Sequence, residues 1–136
     1  MTACFADTFF FLALVSRKDP AVRKLAMQAH QAGRPMVTTA WILVELADAL
    51  SDAPNRALFE RLYDTPVAAP GVKIIPLDQA LFAEGIQRYR SRPDKDWSLT
   101  DCISFAVMER EGLSDALTGD HHFEQAGFVA LLKAMP

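Results

Sequence analysis

A helix that is apolar on nearly every side must be covered on nearly every side, and residues 99–108 describe such a helix. Leu99, Cys102, Ile103, Ala106 and Val107 recur at i, i+3, i+4, i+7 and i+8, one continuous stripe. The opposite side carries Phe105 and Met108 beside Ser104, so it is not cleanly polar either. Ser98 is a good N-cap, and Asp101 follows three residues later, where the acid of a capping box stands. The helix therefore starts at an acid and runs into a core. An acid in a first turn suits the helix dipole. Asp101 standing alone is a capping residue, and a larger role needs other carboxylates brought to the same place.

The rest of the chain supplies short β-prone runs between helical segments. Residues 2–6 read as a buried strand ending at Asp7, and residues 8–16 as an apolar helix. Asp19 caps a helix over residues 21–32 with Pro20 at its favoured first position, and Gly33 ends it. Residues 36–39 form a strand whose closing Thr38 or Thr39 caps a helix over 40–50. Pro54 opens a helix to Tyr63, residues 66–71 form a loop, and 72–75 a strand closed by Pro76. Asp78 caps a helix to Tyr89, a charged link over 90–96 follows, and Gly112 ends the buried helix. Residues 116–118 read as a strand, and 128–132 as a strand or a short helix. Strands alternating with helices predict an α/β fold with a parallel sheet and helices on both faces. Ligands in such sheets bind beyond the carboxyl ends of the strands.

Composition sets the outer limits. The 136 residues suit one domain spanning 1–136, and 51% are apolar, too many for a disordered chain. With 14 Lys and Arg against 17 Asp and Glu, the net charge is -3, not the basic balance that announces a nucleic-acid binder. A local basic patch or a bound cation can still reverse the field near a site. Cys4 and Cys102 fall in apolar segments without metal-ligand spacing, as reduced core thiols do. The apolar run 9–15 is too short to span a membrane, and no basic region precedes it as in a signal peptide. A soluble cytoplasmic protein is the expectation.

Four acids share a predicted address. Asp7 and Asp120 follow strands, Asp101 starts a helix at the same edge, and Glu45 lies one and a half turns into the helix after the second strand. Each also has a structural reading. Asp7 can cap the helix at Thr8, Asp101 can be half a capping box, Asp120 can be a turn residue, and Glu45 can be solvated. Convergence changes the balance. Two carboxylates about 5 Å apart repel by roughly 3 kcal/mol at an effective dielectric near 20. Clustered acids take up protons or require a cation, and an all-oxygen set selects a hard one, Mg²⁺ or Mn²⁺.

Asp7 after the first strand, Thr38-Thr39-Ala40-Trp41-Ile42-Leu43-Val44-Glu45, Trp97-Ser98-Leu99-Thr100-Asp101-Cys102 and Leu117-Thr118-Gly119-Asp120-His121-His122-Phe123 together resemble a PIN domain. The resemblance covers nearly the whole chain, and its small size is similar to that of VapC-type toxins of prokaryotic toxin–antitoxin pairs. It implies a Rossmann-like three-layer α/β/α fold with a short parallel sheet. It implies a Mg²⁺-dependent endoribonuclease, with Mn²⁺ able to substitute, whose catalytic and metal-binding residues are Asp7, Glu45, Asp101 and Asp120. Thr118 matches the family's polar partner near the last acids. The resemblance further implies a homodimer and an antitoxin whose tail covers the active site. Phe9 departs from the pattern, because relatives often carry a small or polar residue soon after the first acid.

Other residues divide between roles. Asp96 reads as a further ligand, an acid orienting one, or a solvated loop charge. Asp48 reads as solvated. His121 and His122 suggest a zinc site or a general base, but no third nitrogen or sulfur ligand has suitable spacing, and the resemblance gives His122 a packing role. Trp41 and Trp97 read as packing residues. Arg88, Arg90, Arg92 and Lys95 lead into Asp101 and are candidates for holding RNA phosphates, whereas Arg17, Lys18, Arg23 and Lys24 read equally as phosphate contacts or as a solvated face. The apolar excess in 9–15 and 58–63 suggests interfaces. Two other readings remain: an inactive RNA- or protein-binding module keeping the fold, and a phosphatase with Asp7 as nucleophile. The second wants an acid where Phe9 stands and a lysine after a late strand, where Gly119 and Asp120 follow Thr118.

Overall fold

The computed structural model describes residues 1–133; the single domain expected over 1–136 runs on into 134–136, outside the described residues. Five parallel strands, β1 (Cys4–Ala6), β2 (Met36–Thr39), β3 (Val72–Ile75), β4 (Asp115–Leu117) and β5 (Val129–Ala130), form one sheet in the order β3-β2-β1-β4-β5. Cys4 pairs with Met36 and Phe5 with Val37 on one side of β1, while Phe5 pairs with Ala116 and Ala6 with Leu117 on the other. The helices are α1 (Thr8–Leu14), α2 (Pro20–Ala32), α3 (Ala40–Ala49), α4 (Arg56–Leu62), α5 (Gln79–Ser91), α6 (Leu99–Glu111) and α7 (His121–Gln125). From β1 the chain steps to β2 and β3 in one direction, then crosses to β4 and β5 on the far side. With right-handed crossovers, that reversal places α1–α4 on one face and α5–α7 on the other. The three-layer parallel architecture is the one expected. The reversal also makes a crevice beyond the carboxyl ends of β1 and β4, the usual ligand position in such sheets.

Local chemistry sets the elements. Asp19 Oδ1 accepts from the Val22 N–H at 3.1 Å, Thr39 Oγ1 from Ile42 at 3.0 Å, and Asp78 Oδ1 from Ala80 at 2.7 Å. Each fills an orphan donor of a helix start. Gly33 and Gly112 end α2 and α6 at φ 68°, where a side chain is disfavoured. Helix α6 is buried at every position from Cys102 to Met108, as its apolar circumference requires. Its Phe105 meets Trp97 at 5.1 Å and Phe123 at 5.0 Å, tying α6 to α7 and to the loop before it. Trp97 is thus a packing residue, with its indole N–H donating to Gln125 at 3.0 Å. Helix α5 reaches α6 closely because Gly85 has no side chain; a Cβ there would lie 2.4 Å from Ile103 Cγ1. At the other edge of the sheet, the Arg34 guanidinium donates to Asp115 at 2.7 Å and to the Thr2 carbonyl at 2.6 Å, joining β1, β2 and β4.

Some expectations shift. The loop expected from Pro66 is instead the end of a π-helical turn, Tyr63–Val67, with Pro66 and Val67 buried. The wider turn relieves the clash of a proline ring with the carbonyl one turn back. Helix α5 continues through Arg90 and Ser91 into the expected link, and β5 resolves the open choice for residues 128–132 as a strand. Helix α7 was not expected at all. In the 9–15 run, Phe10, Phe11, Ala13 and Leu14 are buried in the chain's own core, and Phe9, Leu12 and Val15 are partly buried against it. Tyr63 does remain exposed, stacked on Phe59. Cys4 and Cys102 are free and buried. Among the described residues, no helix is long and apolar enough to cross a membrane.

Candidate metal centre

Asp7 stands where β1 meets α1, at the crevice, with only 6% of its surface exposed. Its Oδ2 accepts a hydrogen bond from Thr118 Oγ1 at 2.8 Å, across from the end of β4. The same Thr118 oxygen accepts from the Asp120 N–H at 3.1 Å, so one hydroxyl orients the first acid and the backbone of the last. Burial first, with the Asp101 and Glu45 charges adding to it and the Thr118 hydrogen bond opposing, pushes the Asp7 carboxyl up from its ordinary 3.8 to about 7.

Glu45 is half-buried on α3 and accepts a hydrogen bond from Thr8 Oγ1. Burial raises its carboxyl, with Asp101, Asp120 and Asp48 adding to the rise and Thr8 opposing it. Asp101 completes the capping box of α6: Ser98 Oγ accepts from the Asp101 N–H at 3.0 Å, and Asp101 Oδ2 accepts from the Ser98 N–H at 3.2 Å. Its carboxyl is raised first by burial and then by Asp120, against the hydrogen bonds from Ser98 and the nearby His122. Asp120 caps α7, with its Oδ1 accepting from the His122 N–H at 2.9 Å. The capping and electrostatic readings therefore coexist at Asp101 and Asp120. The acids act on one another as Asp7–Glu45, Asp7–Asp101, Glu45–Asp101, Glu45–Asp120 and Asp101–Asp120, and Thr118 joins Asp7 to Asp120.

The other expected residues lie elsewhere or have partners. Asp96 is exposed and lines a cleft of about 490 Å³ with Tyr89, Arg90 and Lys95. Arg88 pairs with Glu109 at 2.6 Å, Arg92 grips Asp94 through two contacts of 3.0 Å, and Lys95 lies 3.9 Å from Asp94. Arg90 joins no ion pair among the described residues, and Asp94 alone faces both Arg92 and Lys95, so the group keeps positive charge. Asp48 is exposed and contributes to the site only through its charge on Glu45.

Sequence reasoning missed two residues. Thr8 follows Asp7 directly, but nothing in the sequence pairs it with Glu45, 37 residues away. His122 lies beside the site, as the resemblance implies, but its role goes beyond the packing expected there: its Nδ1 lies 3.3 Å from Asp101 Oδ2 and 3.3 Å from Asp120 Oδ1. Neither contact has hydrogen-bond geometry, and the buried Nδ1 has no partner. The departure at Phe9 also has a structural account. Its ring rests on Gly119, where a Cβ would lie 2.5 Å from the ring tip, so the aromatic residue requires a glycine before Asp120. The residues fit a hard divalent cation: the donors are carboxylate oxygens, they are negative and mutually repelling, and burial makes their charge costly without a counter-ion.

The parallel α/β fold of this chain is shared with solved structures. VapC20 from Mycobacterium tuberculosis, described as a sarcin-ricin loop cleaving toxin, matches with a TM-score of 0.82 and 22% identity, covering 98% of this chain and 99% of that one. FitAcB from Neisseria gonorrhoeae matches at 0.66 with 17% identity over 93% and 94%. FitAB bound to an IR36 DNA fragment matches at 0.68 with 16% identity over 98% and 97%. A comparison with curated protein sequences returns no match. The chain belongs to the PIN domain family, whose profile matches residues 4–129.

Proposed function

We propose that this PIN domain is a metal-dependent endoribonuclease that hydrolyses RNA phosphodiesters. The observation that carries the reading is the linked set Asp7, Glu45, Asp101 and Asp120, with Asp7 held near 7 by burial and neighbouring charge. A non-catalytic module gains nothing from carboxylates that repel one another. Asp7, Asp101 and Asp120 would hold Mg²⁺, with Mn²⁺ as substitute, and Glu45 would complete the shell from α3. When bound, the cation supplies Lewis-acid stabilisation of phosphoryl charge and eases ionisation of the attacking water. The chain's own part is orientation. Thr118 fixes Asp7, Thr8 fixes Glu45, and Ser98 fixes Asp101, so the carboxylates are aimed before the ion arrives. Arg90, with Arg88, Arg92 and Lys95 behind it, would hold RNA phosphates beside α6.

The physiological reading is the toxin of a type II toxin–antitoxin pair, acting in the cytoplasm as a homodimer and restrained by a cognate antitoxin. The likeness to VapC20, a sarcin-ricin loop cleaving toxin, supports it. RNA incubated with the purified protein should be cut internally with Mg²⁺ or Mn²⁺ and left intact with EDTA, and Asp7→Asn should abolish cutting. Binding of RNA without cleavage at any metal concentration would overturn the enzyme reading in favour of a binding module.

A further inference from the structure

The start of α7 carries a donor set that an oxygen-only cation does not use. Asp120, His121 and His122 bring a carboxylate oxygen and two imidazole nitrogens within 4.8 Å of one another. His122 Nδ1 lies 3.3 Å from Asp120 and 3.3 Å from Asp101, and His121 Nδ1 lies 3.7 Å from Asp120. A buried ring nitrogen without a hydrogen-bond partner, wedged between two carboxylates, wants either a proton or an ion. The spacing suits an ion. Ligand atoms at about 2.0–2.2 Å from a tetrahedral or octahedral centre stand about 2.8–3.6 Å from one another. Imidazole nitrogens with carboxylates select a borderline transition metal over Mg²⁺.

We infer that Asp101, Asp120 and His122, closed by the exposed His121, form a binding site for a borderline divalent metal of the Zn²⁺ class, abutting the proposed nuclease centre. Each carboxylate has two oxygens, so the two sites share Asp101 and Asp120. The ion on the histidine side would draw both acids away from the cation that serves hydrolysis, so Zn²⁺ acts as an inhibitor competing with Mg²⁺. The inhibition rests on the nuclease reading, whereas the binding does not.

The test is binding, followed without any activity assay. Co²⁺ serves as the visible-absorbing probe and Zn²⁺ as the competitor, with imidazole ¹⁵N resonances recorded alongside. His122→Asn should weaken Zn²⁺ by about ten- to hundredfold, at least the cost of losing a residue that only supports a metal ligand, and His121→Ala should weaken it less. Displacement of Mn²⁺ by Mg²⁺ should stay within about twofold in both variants, because Mg²⁺ prefers oxygen. Zn²⁺ should move the resonances of His121 and His122. It should leave those of His30, in the last turn of α2 at the opposite edge of the sheet, unchanged. The inference is overturned if both variants bind Zn²⁺ as the wild type does, or if His122→Asn weakens Mg²⁺ and Zn²⁺ equally. It also fails if the wild-type resonances of His121 and His122 do not respond to Zn²⁺, a readout that needs no variant to fold. A protein that binds Zn²⁺ in this way and never cuts RNA would overturn the nuclease reading alone.

Discussion

Asp7 should make the metal-free protein less stable as pH rises. Its carboxyl titrates at 3.8 in the unfolded chain and at about 7 in the fold, so the folded state binds the proton more tightly. The stability this contributes is fully present below the unfolded value and is lost as pH rises through about 7. The whole displacement is worth about 4 kcal/mol, and between about pH 5 and pH 8 the loss is roughly 2.5 kcal/mol. Glu45 and Asp101 are displaced in the same direction and steepen the same slope. Asp7→Asn removes the largest contributor while keeping an oxygen to accept from Thr118. Urea unfolding in EDTA, followed by circular dichroism across this range, measures the effect. With a slope of about 2 kcal/mol per molar urea, the wild-type midpoint should fall by about 1 M or more from acid to alkaline pH, and that of Asp7→Asn by much less. Mg²⁺ should flatten or reverse the wild-type slope, because the ion binds the ionised carboxylates. Equal slopes for wild type and Asp7→Asn in EDTA would refute the buried, charge-crowded position of Asp7.

Three further outcomes follow from particular contacts. Gly85→Ala should cost about 1–3 kcal/mol by forcing α5 away from Ile103, seen as a lower urea midpoint and partly restored by adding Ile103→Val. Ser98→Ala should cost about 1 kcal/mol through loss of half the capping box, with metal affinity changed far less than in any variant of the acids. Thr118→Val strips a donor from Asp7 and an acceptor from the Asp120 N–H, so it should cost roughly 1–3 kcal/mol. It should also move the Asp7 titration upward, as read by ¹³C carboxyl NMR.

What could be read from the sequence was whatever a short window carries. Helix α6 announces itself through its apolar positions, Ser98 and Gly112, and α2 through Asp19, Pro20 and Gly33, because periodicity and caps are local. Asp7 and Asp120 were legible as positions after strands, and Asp101 as a helix start, since a parallel sheet converts chain order into one shared edge. The contacts that orient them were not. Thr8 meets Glu45 and Thr118 meets Asp7 only because β1, α3 and β4 pack together, and neither pairing leaves a pattern in the chain. Helix α7 escaped because five residues are too few to show a period, and the π turn because Pro66 ordinarily ends a helix. His122 was misjudged for a related reason: ligand spacing counts neighbours along the chain, whereas Asp101 reaches it from another helix.

The Thr118–Asp7 hydrogen bond spans 111 residues and has a consequence in time. A growing polypeptide holds Asp7 and Glu45 long before it holds β4. At about 5–20 residues per second, roughly 6–20 s separate the synthesis of Asp7 from that of Asp120. Throughout that interval β1 lacks the neighbour on one of its two sides, and the first acid lacks the hydroxyl that aims it. A ribosome-bound fragment ending before β4 therefore cannot assemble the pocket, whatever it has folded already. The first and last acids come to share the Thr118 hydroxyl only once the last strands have docked against the first.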